Sequence, residues 1–238
     1  MKISVLPILE DNYAYVLQGD DGAVGVVDPG TAEPVIEFLE ARGLSLDTIF
    51  LTHHHWDHVN GVPALLKRYD CDVAGPRGEA DKIKHLKTPL YEGGDFAFDG
   101  EKFEAFETPG HTLGAICLYF PESAALFSGD TLFSMGCGRL FEGTAQQMWE
   151  SFQKILALPD ETLIYPGHEY TLANGAFCQS VEPENADLQQ RMDEVRRLRA
   201  DEKPSIPVSL AVEKATNVFL RAGSADTFAA RRALKDRS

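Results

Sequence analysis

The 238-residue chain has little cysteine, a deficit of basic residues and no long apolar run. Its four cysteines, Cys71, Cys117, Cys137 and Cys178, are scattered without a C-x-x-C pair, which excludes a disulfide-stapled scaffold and a cysteine-built zinc site. Thiols so placed fit a reducing cytoplasm. Lys and Arg number 22 against 37 Asp and Glu, so a net charge of −15 speaks against nucleic acid or an anionic membrane surface as partner. No stretch approaches the ~20 apolar residues of a membrane span, and residues 1–11 turn acidic too soon for a signal peptide. What remains is an ordinary soluble composition, 44% hydrophobic and 25% charged, long enough for one large domain with a small appendage. The charge is uneven. From Arg221 onward five basic residues face two acidic ones, either a solvated helix face or a small anion site.

Short apolar segments alternate with turns through the first two thirds. Lys2–Ile8, Tyr13–Gln18 and Ala23–Val27 read as strands, the last ending in the turn Asp28-Pro29-Gly30. Pro34–Arg42 reads as a helix closed by Gly43, Thr48–Leu51 as a buried strand and Val62–Tyr69 as a helix. Phe103–Glu107, Ala115–Phe120, Ala124–Ser128 and Thr162–Tyr165 are further strands. Thr144 opens a helix, with Gln147 as capping-box partner and Met148, Phe152, Ile155 and Leu156 on one face. Beyond about residue 172 only helical spacing appears. The expected organisation is an α/β (α+β) catalytic domain over residues 1–172 and a small helical C-terminal domain over 173–238.

Four of seven histidines crowd into Thr52-His53-His54-His55-Trp56-Asp57-His58. The pattern H-x-H-x-D-H offers three imidazoles and a carboxylate from six positions, donors that suit zinc, iron and related ions. The cluster follows a strand directly, where ligand sites in layered folds gather. Three later loops repeat that placement, with one candidate ligand each: His111 in Thr108–Thr112, Asp130 in Ser128–Thr131, and His168 in Tyr165–His168. Seven donors are too many for one four- to five-coordinate ion. They suit two, held about 3.5–4 Å apart if one carboxylate bridges. His54, between ligands, is expected to point elsewhere, Trp56 to pack under the loop, His85 to lie at the surface and Cys137 to be a structural thiol.

The set THHHWDH, TPGHT, SGD and PGHEYT resembles the metallo-β-lactamase superfamily, and the stretches 136–144, 168–171 and 232–236 resemble its glyoxalase II (hydroxyacylglutathione hydrolase) family in particular. The resemblance spans essentially the whole chain and implies an αββα sandwich with metals at one edge. It implies one metal on His53, His55 and His111 and another on Asp57, His58 and His168, with Asp130 bridging. Zinc is the first choice, and iron or manganese also suits such donors. It places glutathione against Arg139, Phe141, the segment His168–Tyr170, Arg232 and Lys235. Some relatives carry lysine and tyrosine at the positions of Arg139 and Phe141, so here the charge is kept and a hydroxyl is missing.

The implied reaction is hydrolysis of an S-2-hydroxyacylglutathione thioester, such as S-lactoylglutathione, to a 2-hydroxy acid and glutathione, the second step of methylglyoxal detoxification. Two metals bring the pKa of a water toward about 7 and provide hydroxide. Asp57 is the candidate to orient it. The thiol, with an intrinsic pKa near 8.5, leaves as thiolate without a strong acid. A substrate with two carboxylates and one ammonium needs a local positive trap on this acidic chain, and Arg139, Arg232 and Lys235 provide one. The enzyme is expected to act alone, as a monomer. The rival reading is a glutathione persulfide dioxygenase of the same superfamily, using one iron.

Overall fold

The computed structural model describes residues 1–237 and divides into two compact units, residues 1–107 with 114–123, and residues 108–113 with 124–238.

In the first unit, β1 (Lys2–Ile8), β2 (Asn12–Gln18), β3 (Val24–Val27), β4 (Thr48–Phe50), β5 (Asp72–Pro76) and β6 (Thr88–Leu90) form one sheet in sequence order, crossed by α1 (Glu33–Glu40), α2 (Trp56–Val59) and α3 (Val62–Arg68) in the connections. β1, β2 and β3 run antiparallel, and β3 to β6 run parallel. Val16, Val26, Ile49 and Val73 from this sheet share one core with Val35 and Leu39 of α1 and Leu65 of α3. Each such side chain contributes roughly 1.5–3 kcal/mol when buried. β7 (Phe96–Phe98), β8 (Glu101–Glu107) and β9 (Ile116–Phe120) form an antiparallel meander.

The second unit holds β10 (Ala125–Gly129), the hairpin strands β11 (Leu132–Phe133) and β12 (Gly136–Cys137), α4 (Ala145–Leu156), β13 (Leu163–Pro166), α5 (Thr171–Val181), α6 (Ala186–Ala200), β14 (Val208–Ser209), α7 (Leu210–Thr216) and α8 (Ala225–Lys235). β13 pairs parallel with β10 and antiparallel with β14. The capping box of α4 is formed as expected, with Thr144 Oγ1 accepting from Gln147 N and Gln147 Oε1 accepting from Thr144 N. The all-helical expectation beyond residue 172 fails at β14. Two residues carry no periodicity, yet Val208 is buried against Ile164 in the ladder.

Among the described residues no helix is long and apolar enough to cross a membrane. Cys71, Cys137 and Cys178 are buried thiols outside any disulfide.

Candidate metal and substrate site

Parallel pairing decides what meets at the edge of the first sheet. Because β3, β4 and β5 run the same way in register, their C-terminal ends deliver Asp28, Thr52–His58 and Glu79 to one rim. Asp28, at a left-handed φ of 50°, turns its carboxylate back on the β4 loop. It accepts from Thr52 N at 2.8 Å, from Thr52 Oγ1 at 2.6 Å and from His58 Nδ1 at 2.9 Å. The Thr52 hydroxyl, having given its proton to Asp28, accepts from His53 Nδ1 at 3.1 Å. One buried carboxylate thereby fixes two imidazoles in the tautomer whose Nε2 carries a lone pair, the arrangement metal-binding histidines need. Asp28, His53 and His58 bring donor atoms within 4.8 Å of one another, and both Asp28 oxygens already accept hydrogen bonds, so Asp28 serves here to orient its neighbours.

His53, His55 and His58 cluster, with ring centroids 4.7 Å apart for His53–His55 and 4.2 Å for His53–His58. Asp57 lies on α2, and its Oδ2 accepts from Asn12 Nδ2 at 2.9 Å. Gly30 is required beneath it, since a Cβ there would lie 1.9 Å from the Asp57 carbonyl oxygen. His54 turns away, with Nδ1 2.9 Å from Glu79 Oε2, as expected. Trp56 corrects the sequence expectation. It is 64% exposed rather than packed, because the short α2 turns His58 inward. Asp28, Thr52, Asn12 and Glu79 escaped the sequence reading. Only the Asp-Pro-Gly turn hinted at Asp28, and it reads simply as a turn.

The second unit repeats the parallel logic. β10 and β13, aligned with Gly129 opposite Pro166, deliver Asp130 and His168 from adjacent ends, and Gly167 N donates to Gly129 O at 2.9 Å. His111, on the loop 108–113, donates from Nδ1 to the Arg139 carbonyl at 2.9 Å. A carbonyl only accepts, so Nε2 again carries the lone pair. It lies 3.3 Å from Asp130 Oδ2, and His168 Nε2 lies 3.5 Å from the same oxygen. Gly138 must lack a side chain, because a Cβ would meet the Asp130 carbonyl oxygen at 2.0 Å and His111 Nδ1 at 2.9 Å.

The donor chemistry of each set fits a cation. With the rings neutral, as ligands must be, a lone-pair nitrogen faces a carboxylate oxygen in both, His111 on Asp130 and, at 3.6 Å, His58 Nε2 on Asp57 Oδ2. Such a contact repels until a positive ion takes both groups as ligands.

Beside His111 and Asp130 the second unit holds a cavity of about 450 Å³ lined by Arg139, Phe141, Tyr170, Arg232 and Lys235 among others. Tyr170 stacks on His168 at 4.6 Å and 7°, and Phe141 meets His111 edge-on at 5.2 Å. Arg139 and Phe141 are exposed, the latter by 63%. Arg232 is buried, donating from Nη1 to the Cys137 carbonyl at 2.9 Å and from Nε and Nη2 to Asp236. Lys235 Nζ donates to the Ala173 carbonyl at 3.2 Å. Partial burial and the Arg232 charge hold that ammonium below the usual lysine range. Burial pushes the Cys137 thiol up to about 11, which suits an unreactive structural role.

A family model described as the metallo-beta-lactamase superfamily matches residues 8–168, and one described as the hydroxyacylglutathione hydrolase C-terminus matches residues 169–238. A hydroxyacylglutathione hydrolase of Ruegeria pomeroyi is 45% identical over 93% of this chain and 88% of its own length. One of Vibrio parahaemolyticus is 46% identical over 95% and 88%. Among solved structures, ETHE1 from Myxococcus xanthus aligns with a TM-score of 0.74 at 26% identity, over 98% of this chain and 90% of that one. The BLEG-1 B3 metallo-beta-lactamase aligns with a TM-score of 0.66 at 30% identity, over 70% and 91%. The fold is the expected one, a metallo-β-lactamase-like α+β arrangement of mixed sheets and helices with a helical C-terminal region.

Proposed function

The chain belongs to the metallo-β-lactamase superfamily and, within it, to the hydroxyacylglutathione hydrolases, and on that premise we propose that it hydrolyses S-2-hydroxyacylglutathione thioesters to a 2-hydroxy acid and glutathione. The observation that carries the reading is the cavity beside His111 and Asp130, rimmed by Arg139 and Lys235, whose Tyr170, Ala173, Asn174, Arg232 and Lys235 come from the segment that matches the hydrolase C-terminus.

In this reading two divalent ions would be held, one by His53, His55 and His111, the other by Asp57, His58 and His168, with Asp130 shared between them. Zinc is the first candidate, and the same donors accept iron or manganese. Ions bound there supply Lewis acidity toward the thioester carbonyl and a hydroxide nucleophile at neutral pH. The protein's own side chains do the rest. Asn12 holds the Asp57 carboxylate, which orients the attacking oxygen. Asp28 and Thr52 keep His58 and His53 in the ligating tautomer, and the Arg139 carbonyl does so for His111. The Arg139 and Lys235 cations receive the glutathione carboxylates, Arg232 adds positive charge behind them, and Tyr170 and Phe141 wall the cavity. No general acid is needed, since the thiolate leaves unaided. Residues 1–172 supply the catalytic domain and 173–238 the helices that seat the substrate. The buried thiols support the cytoplasm as working compartment, where the protein acts as a monomer.

The test is a thioester-loss assay on S-lactoylglutathione beside oxygen uptake on glutathione persulfide, with metal content measured on the same sample. Thioester loss without oxygen uptake is expected. Oxygen uptake with an intact thioester would make the protein a persulfide dioxygenase.

A further inference from the structure

Between Asp130 and Arg139 the chain forms the β11–β12 hairpin, with Met135 of its turn at a left-handed φ of 53°. Residues 131–138 are all buried. Two residue pairs are too few to hold a hairpin by its own ladder. Side chains from the C-terminal helices hold it instead. Asn217, just past α7, donates from Nδ2 to Phe133 O at 3.3 Å and Gly136 O at 3.0 Å, bridging the two strands. Glu213, within α7, accepts from Ser134 Oγ at 3.0 Å on Oε1 and from Met135 N at 2.9 Å on Oε2. The same Oε2 accepts from Asn217 at 2.9 Å. From α5, Asn174 Nδ2 reaches Ser134 O at 3.3 Å and Cys178 Sγ reaches Met135 O at 3.1 Å.

Glu213 and Asn217 are both 0% exposed. A carboxylate buried that deeply is costly unless its acceptors are filled, and every filling donor is in the hairpin turn or is itself bound to the hairpin. The hairpin is therefore seated or not, with little room between. Its two ends are functional. At one end stands Asp130, against whose carbonyl Gly138 closes. At the other stands Arg139, whose carbonyl orients His111 and whose side chain lines the cavity.

We propose that Glu213 and Asn217 are positioning residues for the reaction, holding the hairpin in the register that fixes the metal-facing nitrogen of His111 and sets Arg139 at the cavity. The inference rests on the thioesterase reading of that site. It gives the C-terminal helices a second task, shaping a metal-ligand shell as well as seating substrate.

The experiment titrates zinc into chelator-stripped wild type, Asn217→Ala, Glu213→Gln and Leu188→Ala, checks folding by circular dichroism, and measures kcat and KM on S-lactoylglutathione. Asn217→Ala should fold, bind zinc about 10- to 100-fold more weakly and raise KM. Glu213→Gln keeps an oxygen for Met135 N and offers an amide donor to the Ser134 hydroxyl, so it should stay within about threefold of wild type on both measures. Leu188→Ala removes a fully buried side chain of α6, an element that makes none of those hydrogen bonds to the hairpin, so it should lower stability and leave zinc affinity intact. Zinc affinity falling as far in Leu188→Ala as in Asn217→Ala, or staying within twofold in Asn217→Ala, overturns the proposal. If Asn217→Ala does not fold, Cys178→Ala carries the test with the same sign and a smaller effect, and unchanged zinc affinity and KM there overturn it as well. A wild type that binds zinc but spares the thioester sinks the functional reading alone, since the ranking of zinc affinities stands apart from it.

Discussion

The two units supply their proposed ligands in opposite ways. In the first, His53, His55, Asp57 and His58 come from one heptapeptide at the end of β4, and a single charged group, Asp28, orients His58 directly and His53 through Thr52. In the second, His111, Asp130 and His168 come from three separate loops, and the orienting partner of His111 is a neutral backbone carbonyl. A contiguous set lets one side chain align two of its members at once. A dispersed set needs a scaffold, which here is a hairpin held from α5 and from the end of α7, 40 to 84 residues further along the chain.

That contrast can be broken most sharply at Asp28. Asp28→Asn should weaken zinc binding by about 10- to 100-fold, because Thr52 Oγ1 and His58 Nδ1 lose their shared acceptor and the Thr52 hydroxyl is then no longer held for His53, and the loss should appear in calorimetric titration. In the second unit the acceptor of His111 Nδ1 is a backbone carbonyl, which no side-chain substitution removes. Next comes pH. Burial raises the Glu213 carboxyl to about 7 from its ordinary 4.5. A folded-state pKa above the unfolded one means its contribution is fully present below about pH 4.5 and lost as pH rises through about 7, at a cost of about 3 kcal/mol. Chemical denaturation across that window should show wild type losing stability relative to Glu213→Gln, with the gap largest above pH 7. A smaller effect separates the two C-terminal cations. Lys235→Ala should raise KM about tenfold with kcat nearly unchanged. Arg232→Ala should also lower the melting temperature, because its guanidinium ties α8 to the Cys137 carbonyl. Smallest of all, Phe141→Tyr restores a hydroxyl at the cavity wall and should lower KM by up to about fivefold, the worth of one hydrogen bond.

How far the sequence speaks follows the same division. The heptapeptide is legible because its candidate ligands are adjacent, and the three later loops because each pairs a glycine with one donor at a strand end. Strands β1 to β4, helix α4 and its capping box are legible through apolar spacing and turn chemistry. Asp28 is not, since its role depends on the parallel register that sets β3 beside β4, which no local pattern encodes. Trp56 misleads because a four-residue helix has no periodicity to say which side faces in. The β11–β12 hairpin is silent for a related reason. Its two-residue strands fall below any pattern, and the residues that hold it, Glu213 and Asn217, look like ordinary helix-end polar residues until their burial is seen.

The most direct test of two sets sharing a binuclear centre is the metal content per chain at saturation, measured by elemental analysis on zinc-loaded protein. Two ions per chain are predicted, falling to one in His58→Ala. A wild type that saturates at one ion would contradict the account.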